Sequence, residues 1–497
     1  MNRSGQKLKG SKREAKARTY IMFLLMLFFF TSTPTVAQKT YVTTGDKIII
    51  TDGKNVRRHT QSNGINSFNI EYKGTIEVTD DDKDVKSISP GGYIEISKTT
   101  FGSRRSILIE ASSNGLRREY YESRKKVDYE PEGRKWLAEI LPDVVRSTGI
   151  AAESRVNRYY KQGGVDAVLN EVGRLESDYV RSIYGKILLQ KDGLSSNDLV
   201  KAAKGLADKI NSDYYLAEML KSNSSQFLKN DKTAEAYFEA VSNIGSDYYT
   251  AAVLKEALDN HQASARSMTQ ILNASKNIGS DYYKATVLSQ VLDQDNANDH
   301  VVGEIISCTK NIGSDYYQTQ ILSKAISKKG LSGSSSNELL EAVANVSSDY
   351  YMATVFSKLV ENKLDNDVNI KLIGLLDDKM SSDYYAASVL SKMVKHQDLN
   401  DQAVARMAQA ISNMNSDNYA SSILKNASES RNLSKSTLIS LVKAAGGIKS
   451  DFYKSSALQH LAPLVKNSDA EVKAAYTEAA KRINSDTYYG RAMRAID

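Results

Sequence analysis

The residues of this chain best placed to act on another molecule come as a recurring tetrad, Ser-Asp-Tyr-Tyr. Its serines fall at Ser177, Ser212, Ser246, Ser280, Ser314, Ser348, Ser382, Ser416, Ser450 and Ser485, in steps of 34 or 35 residues. A carboxylate and two phenols per step offer two chemistries. The aspartates form a ladder that could meet a cationic ligand, and the tyrosines form a row of amphipathic rings that could grip a partner. Counted from the serine, the aspartate at +1 lies on the same helical side as +5, +8 and +12, the packed side. This predicts a structural carboxylate bonded to backbone or to a tyrosine of the adjacent repeat.

The two tyrosines differ. The second, at +3 (Tyr215, Tyr249, Tyr283, Tyr317, Tyr351, Tyr385, Tyr419, Tyr453, Tyr488), sits at the edge of the apolar arc and is expected in the core. The first, at +2 (Tyr214, Tyr248, Tyr282, Tyr316, Tyr350, Tyr384), lies on the polar side and gives way to Asn418, Phe452 and Thr487. That row is the candidate binding site. It suits an extended peptide, a glycan strand or another protein's surface; the alternative is that each ring lies over the preceding loop.

Other candidates are weaker. His59, His261, His300, His396 and His460 are scattered without metal-ligand spacing, so no catalytic set, metal site or cofactor is expected. The run Asp80-Asp81-Asp82-Lys83-Asp84 lacks the glycine and distal glutamate of an EF-hand and reads as a solvated turn. The single cysteine, Cys308, reads as a small buried thiol, which excludes an intrachain disulfide.

A 34-residue period carrying two helical patterns predicts an α-solenoid. In each repeat a first helix, as at 232–244 or 298–312, is followed by a second that starts at Ser-Asp. The pairs Ser212 and Asp213, Ser246 and Asp247, Ser280 and Asp281, Ser314 and Asp315, Ser348 and Asp349, and Ser382 and Asp383 are expected to cap these second helices. The serine hydroxyl would accept a first-turn amide, and the aspartate would favour the positive end of the dipole. Position +8 is apolar throughout (Leu220, Leu254, Leu288, Leu322, Phe356, Leu390, Leu424, Leu458, Met493) and +5 is small, so neighbouring helices can approach closely. The period matches the tetratricopeptide repeat, but that repeat's Trp-Leu-Gly-Tyr pattern is absent, which favours a HEAT-like or unclassified solenoid of about ten repeats.

Residues 38–130 differ. The stretches 47–51, 68–72, 75–79, 93–97 and 106–111 are rich in β-branched and aromatic residues, with 68–72 and 75–79 alternating apolar and polar, between turn pairs such as Asp52-Gly53, Gly91-Gly92 and Asn114-Gly115. They predict a small antiparallel sheet or sandwich. Residues 131–176 turn helical, with Trp136, Leu137, Ile140, Leu141 and Val144 on one face, and read as a cap leading into the array at 177–497. Gly149 and Gly163-Gly164 punctuate these helices. Residues 1–37 read as an export signal: seven Lys or Arg, the apolar run Ile21 to Phe30, then Thr35-Val36-Ala37 with cleavage expected after Ala37. The run is short for a bilayer span, so membrane tethering is expected only if the signal stays uncut. Because this segment holds +6 of the formal +7, the remainder stands near +1, which argues against a nucleic-acid surface.

Several segments form an ordered set: Pro90-Gly91-Gly92-Tyr93-Ile94-Glu95-Ile96, Glu132-Gly133-Arg134-Lys135-Trp136-Leu137-Ala138, Arg146-Ser147-Thr148-Gly149, and Gly163-Gly164-Val165-Asp166-Ala167-Val168-Leu169 up to Ser177-Asp178-Tyr179. The set resembles a group of exported bacterial HEAT-like repeat proteins, with related segments in the extracytoplasmic part of some beta-lactam-sensor-type membrane metallopeptidases. The resemblance covers residues 65–200 well and the later repeats in kind. It implies a bacterial, exported sensing or binding module. The chain lacks the His-Glu-x-x-His motif and the multi-span region, so no peptidase role carries over.

The sequence therefore predicts a non-enzymatic, periplasmic or extracellular scaffold that binds a protein partner along the solenoid. An envelope polysaccharide bound by the tyrosine row or the β-domain is the alternative, and an uncatalogued hydrolase the last.

Overall fold

The computed structural model describes residues 47–52, 56–62, 66–259, 263–328, 333–429 and 433–497. The expected export signal, its cleavage point after Ala37, and His261 lie outside the described residues. Among them no helix is long and apolar enough to cross a membrane. Contacts divide the chain into two compact units, Met1–Ile187 and Leu188–Asp497.

In the first unit, strands β1 (Lys47–Asp52), β2 (Arg57–Ser62), β3 (Ser67–Lys73), β6 (Tyr93–Thr100), β7 (Ser103–Ser112), β8 (Gly115–Glu122) and β9 (Lys125–Val127) form an antiparallel sheet in that spatial order. A separate hairpin, β4 (Ile76–Val78) and β5 (Val85–Ile88), fills the connection between β3 and β6. The register puts Ile70 opposite Ile96, Ile96 opposite Ile107, and Ile107 opposite Tyr120. Side chains alternate across a strand, so this row and its neighbour Tyr72, Ile94 and Ile109 share one buried face.

That face is covered by the helix Arg134–Thr148, whose Trp136, Leu137, Ile140, Leu141 and Val144 join the same core. The expected boundary at residue 130 therefore runs through one core, because a half-apolar sheet must bury its face and the adjacent amphipathic helix supplies the cover. Gly149 ends this helix at φ 73°, with its amide on the Val145 carbonyl, as a glycine C-cap requires. Gly163 and Gly164 break the next helix, Ala152–Val172, from within.

The second unit is a helical repeat array. Nine Ser-Asp helices, from Asp213–Phe227 to Asp486–Ile496, alternate among the described residues with nine intervening helices, from Ser196–Ala207 to Ala470–Ala480. Each helix packs on the second helix after it, so Ser-Asp helices stack on Ser-Asp helices and intervening helices on intervening helices. Every +8 side chain from Leu220 to Leu458 is fully buried, and the small residues at +5 from Ala217 to Ser455 are buried too. The α-solenoid follows: no repeat can enclose its apolar face alone, and stacking encloses all of them in sequence.

Candidate functional site

The Ser-Asp junctions work differently from the expected cap. Ser212, Ser280, Ser314, Ser348 and Ser382 occupy the N-cap position with extended backbone, yet none of their side chains accepts a first-turn amide. The donors that matter here lie one residue earlier, at the serine's own amide and the amide before it, and the preceding repeat takes them. Asp247 accepts from Gly279 (2.9 Å) and Ser280 (2.7 Å), and Asp281 from Gly313 (3.2 Å) and Ser314 (2.8 Å). Asp315 does the same for Ser347 and Ser348, and Asp417 for Lys449 and Ser450. Asp213 holds Gly245, and Asp349 and Asp383 hold Ser382 and Ser416. The aspartate ladder is thus engaged in joining repeats.

Side-chain caps do occur at the first Ser-Asp junction, where the Ser177 hydroxyl accepts the Val180 amide at 3.3 Å, and on the intervening helices. Ser195 forms a capping box with Asp198, and Asn230, Ser264, Asn298, Asn400 and Ser434 each accept from the third residue onward. The sequence carried this signal, an Asn or Ser 16 or 17 residues before the next Ser-Asp. Position +4 held another missed feature. Lys284, Gln318 and Lys454 are buried there, and each donates to a carbonyl at the C-terminal end of the next repeat's intervening helix: Asn311 (3.4 Å), Ala342 (3.0 Å) and Arg482 (2.6 Å).

The tyrosines form one zigzag of rings. Each first tyrosine lies edge-on to its own neighbour and to the second tyrosine of the following repeat. Tyr248 stands 5.0 Å from Tyr249 and 5.9 Å from Tyr283, and Tyr282 stands 5.1 Å from Tyr283 and 6.0 Å from Tyr317. The chain of rings runs unbroken from Tyr215 to Tyr419, ends where Asn418 replaces the first tyrosine, and resumes with Phe452 between Tyr453 and Tyr488. The second tyrosines, expected in the core, are half-buried, and those from Tyr249 to Tyr419 each receive a ring from the preceding repeat.

Tyr248, Tyr282, Tyr316, Tyr350 and Tyr384 keep between 48% and 56% of their surface exposed, while Tyr214 is half-buried. Below Tyr282 a groove of about 1050 Å³ crosses the Ser-Asp helices, lined by hydroxyls and amides such as Ser289, Gln290 and Gln320 together with Lys255, Lys324 and Lys358. Gln320 donates to the Tyr316 hydroxyl at 2.6 Å.

In the first unit, the acidic run is a turn with Asp80, Asp81 and Lys83 exposed, as expected, but Asp82 is not solvated. Asp82, in the left-handed region at φ 58°, is buried against Arg155 (2.7 Å) and Arg158 (2.8 Å). Arg155 is fully buried and also meets Glu171 (2.8 Å) and the Tyr184 hydroxyl. Burial pushes the Asp82 pKa up, but its hydrogen bonds to Arg155 and Arg158 and their charge outweigh this and hold the carboxyl below its ordinary range. Long-range pairing with residues more than 70 positions away left no local trace in the sequence.

His59 is buried and its pKa is pushed down to about 4 by desolvation, while Cys308 is buried and its thiol is pushed up by the same cause. Among the described residues no three His, Cys, Asp or Glu side chains converge as a metal set.

No family model matches the chain, and no curated protein matches it. A solved structure from the computational design of self-assembling cyclic protein homooligomers aligns with 67% of this chain and 97% of its own, at 12% identity and a TM-score of 0.11. At that score it carries no argument about this protein.

Proposed function

We propose that this protein is an exported interaction scaffold whose solenoid binds a partner protein along the row Tyr248, Tyr282, Tyr316, Tyr350 and Tyr384. The observation that carries this reading is the combination of exposure and order. Five rings are half-exposed at matching positions, and each is held from below by two ring contacts. Large apolar area that is already fixed in place loses little entropy on binding, which is what makes aromatic residues frequent anchors of interfaces. The groove beside the row adds polar groups for orientation, and no covalent step is required of it.

The test is capture from cell-envelope extract by protein starting at Gln38, compared with the variant carrying Tyr248→Ser, Tyr282→Ser, Tyr316→Ser and Tyr350→Ser. Capture of a partner by the first alone, with both equally helical, supports the reading. Equal capture assigns the tyrosines to the scaffold and turns attention to the sheet of the first unit.

A further inference from the structure

We propose that the partner segment bound by the tyrosine row is an extended peptide in the polyproline II conformation, laid across the Ser-Asp helices with one turn of peptide per repeat. This rests on the row being the binding surface and adds the conformation and chemistry of what it takes. Tyr283 stands 5.9 Å from Tyr248 and 5.1 Å from Tyr282, so the two exposed rings lie within about 11 Å of each other. Stacked helices are spaced about 8–10 Å apart. Polyproline II has three residues per turn and rises about 3.1 Å per residue, so one turn advances about 9.3 Å. Every third residue of such a peptide therefore returns to the same face at the same step as the exposed tyrosines. Aromatic-lined surfaces are the general means of holding this conformation, which enters the complex already extended and loses little entropy.

The backbone of a polyproline II segment makes no internal hydrogen bonds and needs donors from its host. Gln290 and Gln320 line the groove beside the rings and carry side-chain amides, although Gln290 now donates to Asp259 and Gln320 to Tyr316.

The charges narrow the ligand further. Lys324 is paired with Asp293 at 2.7 Å, whereas Lys255 and Lys358 line the same groove and make no ion pair among the described residues. They belong to the helices Asp247–Asp259 and Asp349–Leu359, three repeats apart. At three residues per repeat this places two acidic side chains about nine residues apart on the peptide. The two lysines sit about two helical turns from the ring row, seven residues after Tyr248 and eight after Tyr350, a distance of about 10–12 Å that two long side chains extended toward each other can span.

The probe is a fluorescein-labelled octaproline flanked by one glutamate at each end, which sets the two glutamates about nine residues apart on one face, titrated against the intact protein and read by anisotropy. A Gly-Ser peptide of equal length and charge is the flexible control, and a linear oligosaccharide is the glycan control. The expected result is binding of the octaproline probe at least about tenfold tighter than either control. Tyr282→Ser with Tyr316→Ser should weaken it by about tenfold or more, while Tyr282→Phe with Tyr316→Phe preserves it, which separates loss of a ring from loss of folding. Lys255→Ala with Lys358→Ala should remove the advantage of the glutamate ends and its salt dependence. No binding, equal binding of the Gly-Ser peptide, or preference for the oligosaccharide overturns the proposal. If envelope capture still depends on the tyrosines while the octaproline probe fails, the scaffold reading stands and this one falls; if both fail, both fall.

Discussion

Asp281 accepts the backbone amide of Ser314 at 2.8 Å, reaching from the first turn of one Ser-Asp helix to the N-terminus of the next. The same carboxylate takes Gly313, so one side chain satisfies two donors that the following helix would otherwise leave open. The repeat period is thereby written into a hydrogen bond as well as into packing.

Asp281→Ala should destabilise the array by about 1–3 kcal/mol, because the partly buried Ser314 amide and the exposed Gly313 amide lose a charged acceptor. Ser314→Ala should change stability by no more than about 0.5 kcal/mol, since the hydroxyl caps nothing. Urea denaturation followed by helical circular dichroism separates the two; equal losses would mean that the hydroxyl does cap in solution.

Arg155→Met should cost about 3–5 kcal/mol in the first unit, leaving the buried carboxylates of Asp82 and Glu171 facing each other without their shared guanidinium. Arg155→Lys should recover little of this, because one ammonium cannot reproduce the forked contacts to Asp82, Glu171 and Tyr184. Thermal melts of the two variants beside the parent give the answer directly.

His59 predicts a pH effect in the weakly acidic range. Its folded pKa of about 4 lies below the ordinary value of 6.5, so the unfolded chain binds the proton more readily. Its share of stability is intact above pH about 6.5 and is lost as pH falls toward 4, by an amount on the order of 3 kcal/mol. His59→Leu should flatten the thermal midpoint between pH 6.5 and 4.5. A variant that kept the parent's slope there would rule His59 out as its source.

Asn418→Tyr should stabilise the array by about 0.5–1.5 kcal/mol, since a ring at that exposed position would meet Tyr419 and Tyr453 and close the break in the zigzag. Denaturation midpoints of Asn418→Tyr and Asn418→Phe should rise together, because the contact is between ring edges and faces. An unchanged midpoint in both would show that this junction is shaped differently from the others.

The sequence by itself determined the architecture of the second unit. The 34-residue period, the apolar +8 position from Leu220 to Leu458 and the small +5 position are local, repeated signals, and a helix face is fixed by spacing within a few turns. For the same reason the exposure of the first tyrosines was legible at Tyr248, whereas the second, expected in the core, is half-buried at Tyr249. Short apolar strands such as 68–72 and 93–97 were also visible, although β2, β5, β8 and β9 were not, being rich in charge or too short to show a period.

Only the tertiary structure decided what Asp281 and Asp82 do, because each finds its partner in another element, 33 and 73 residues away. A helical wheel gives the side on which a carboxylate lies, and the wheel of Asp281 did so. It does not give which amide or guanidinium the fold brings there. That depends on how repeats stack and how a hairpin turn meets two helices, and those are relations between surfaces that no single stretch of sequence contains.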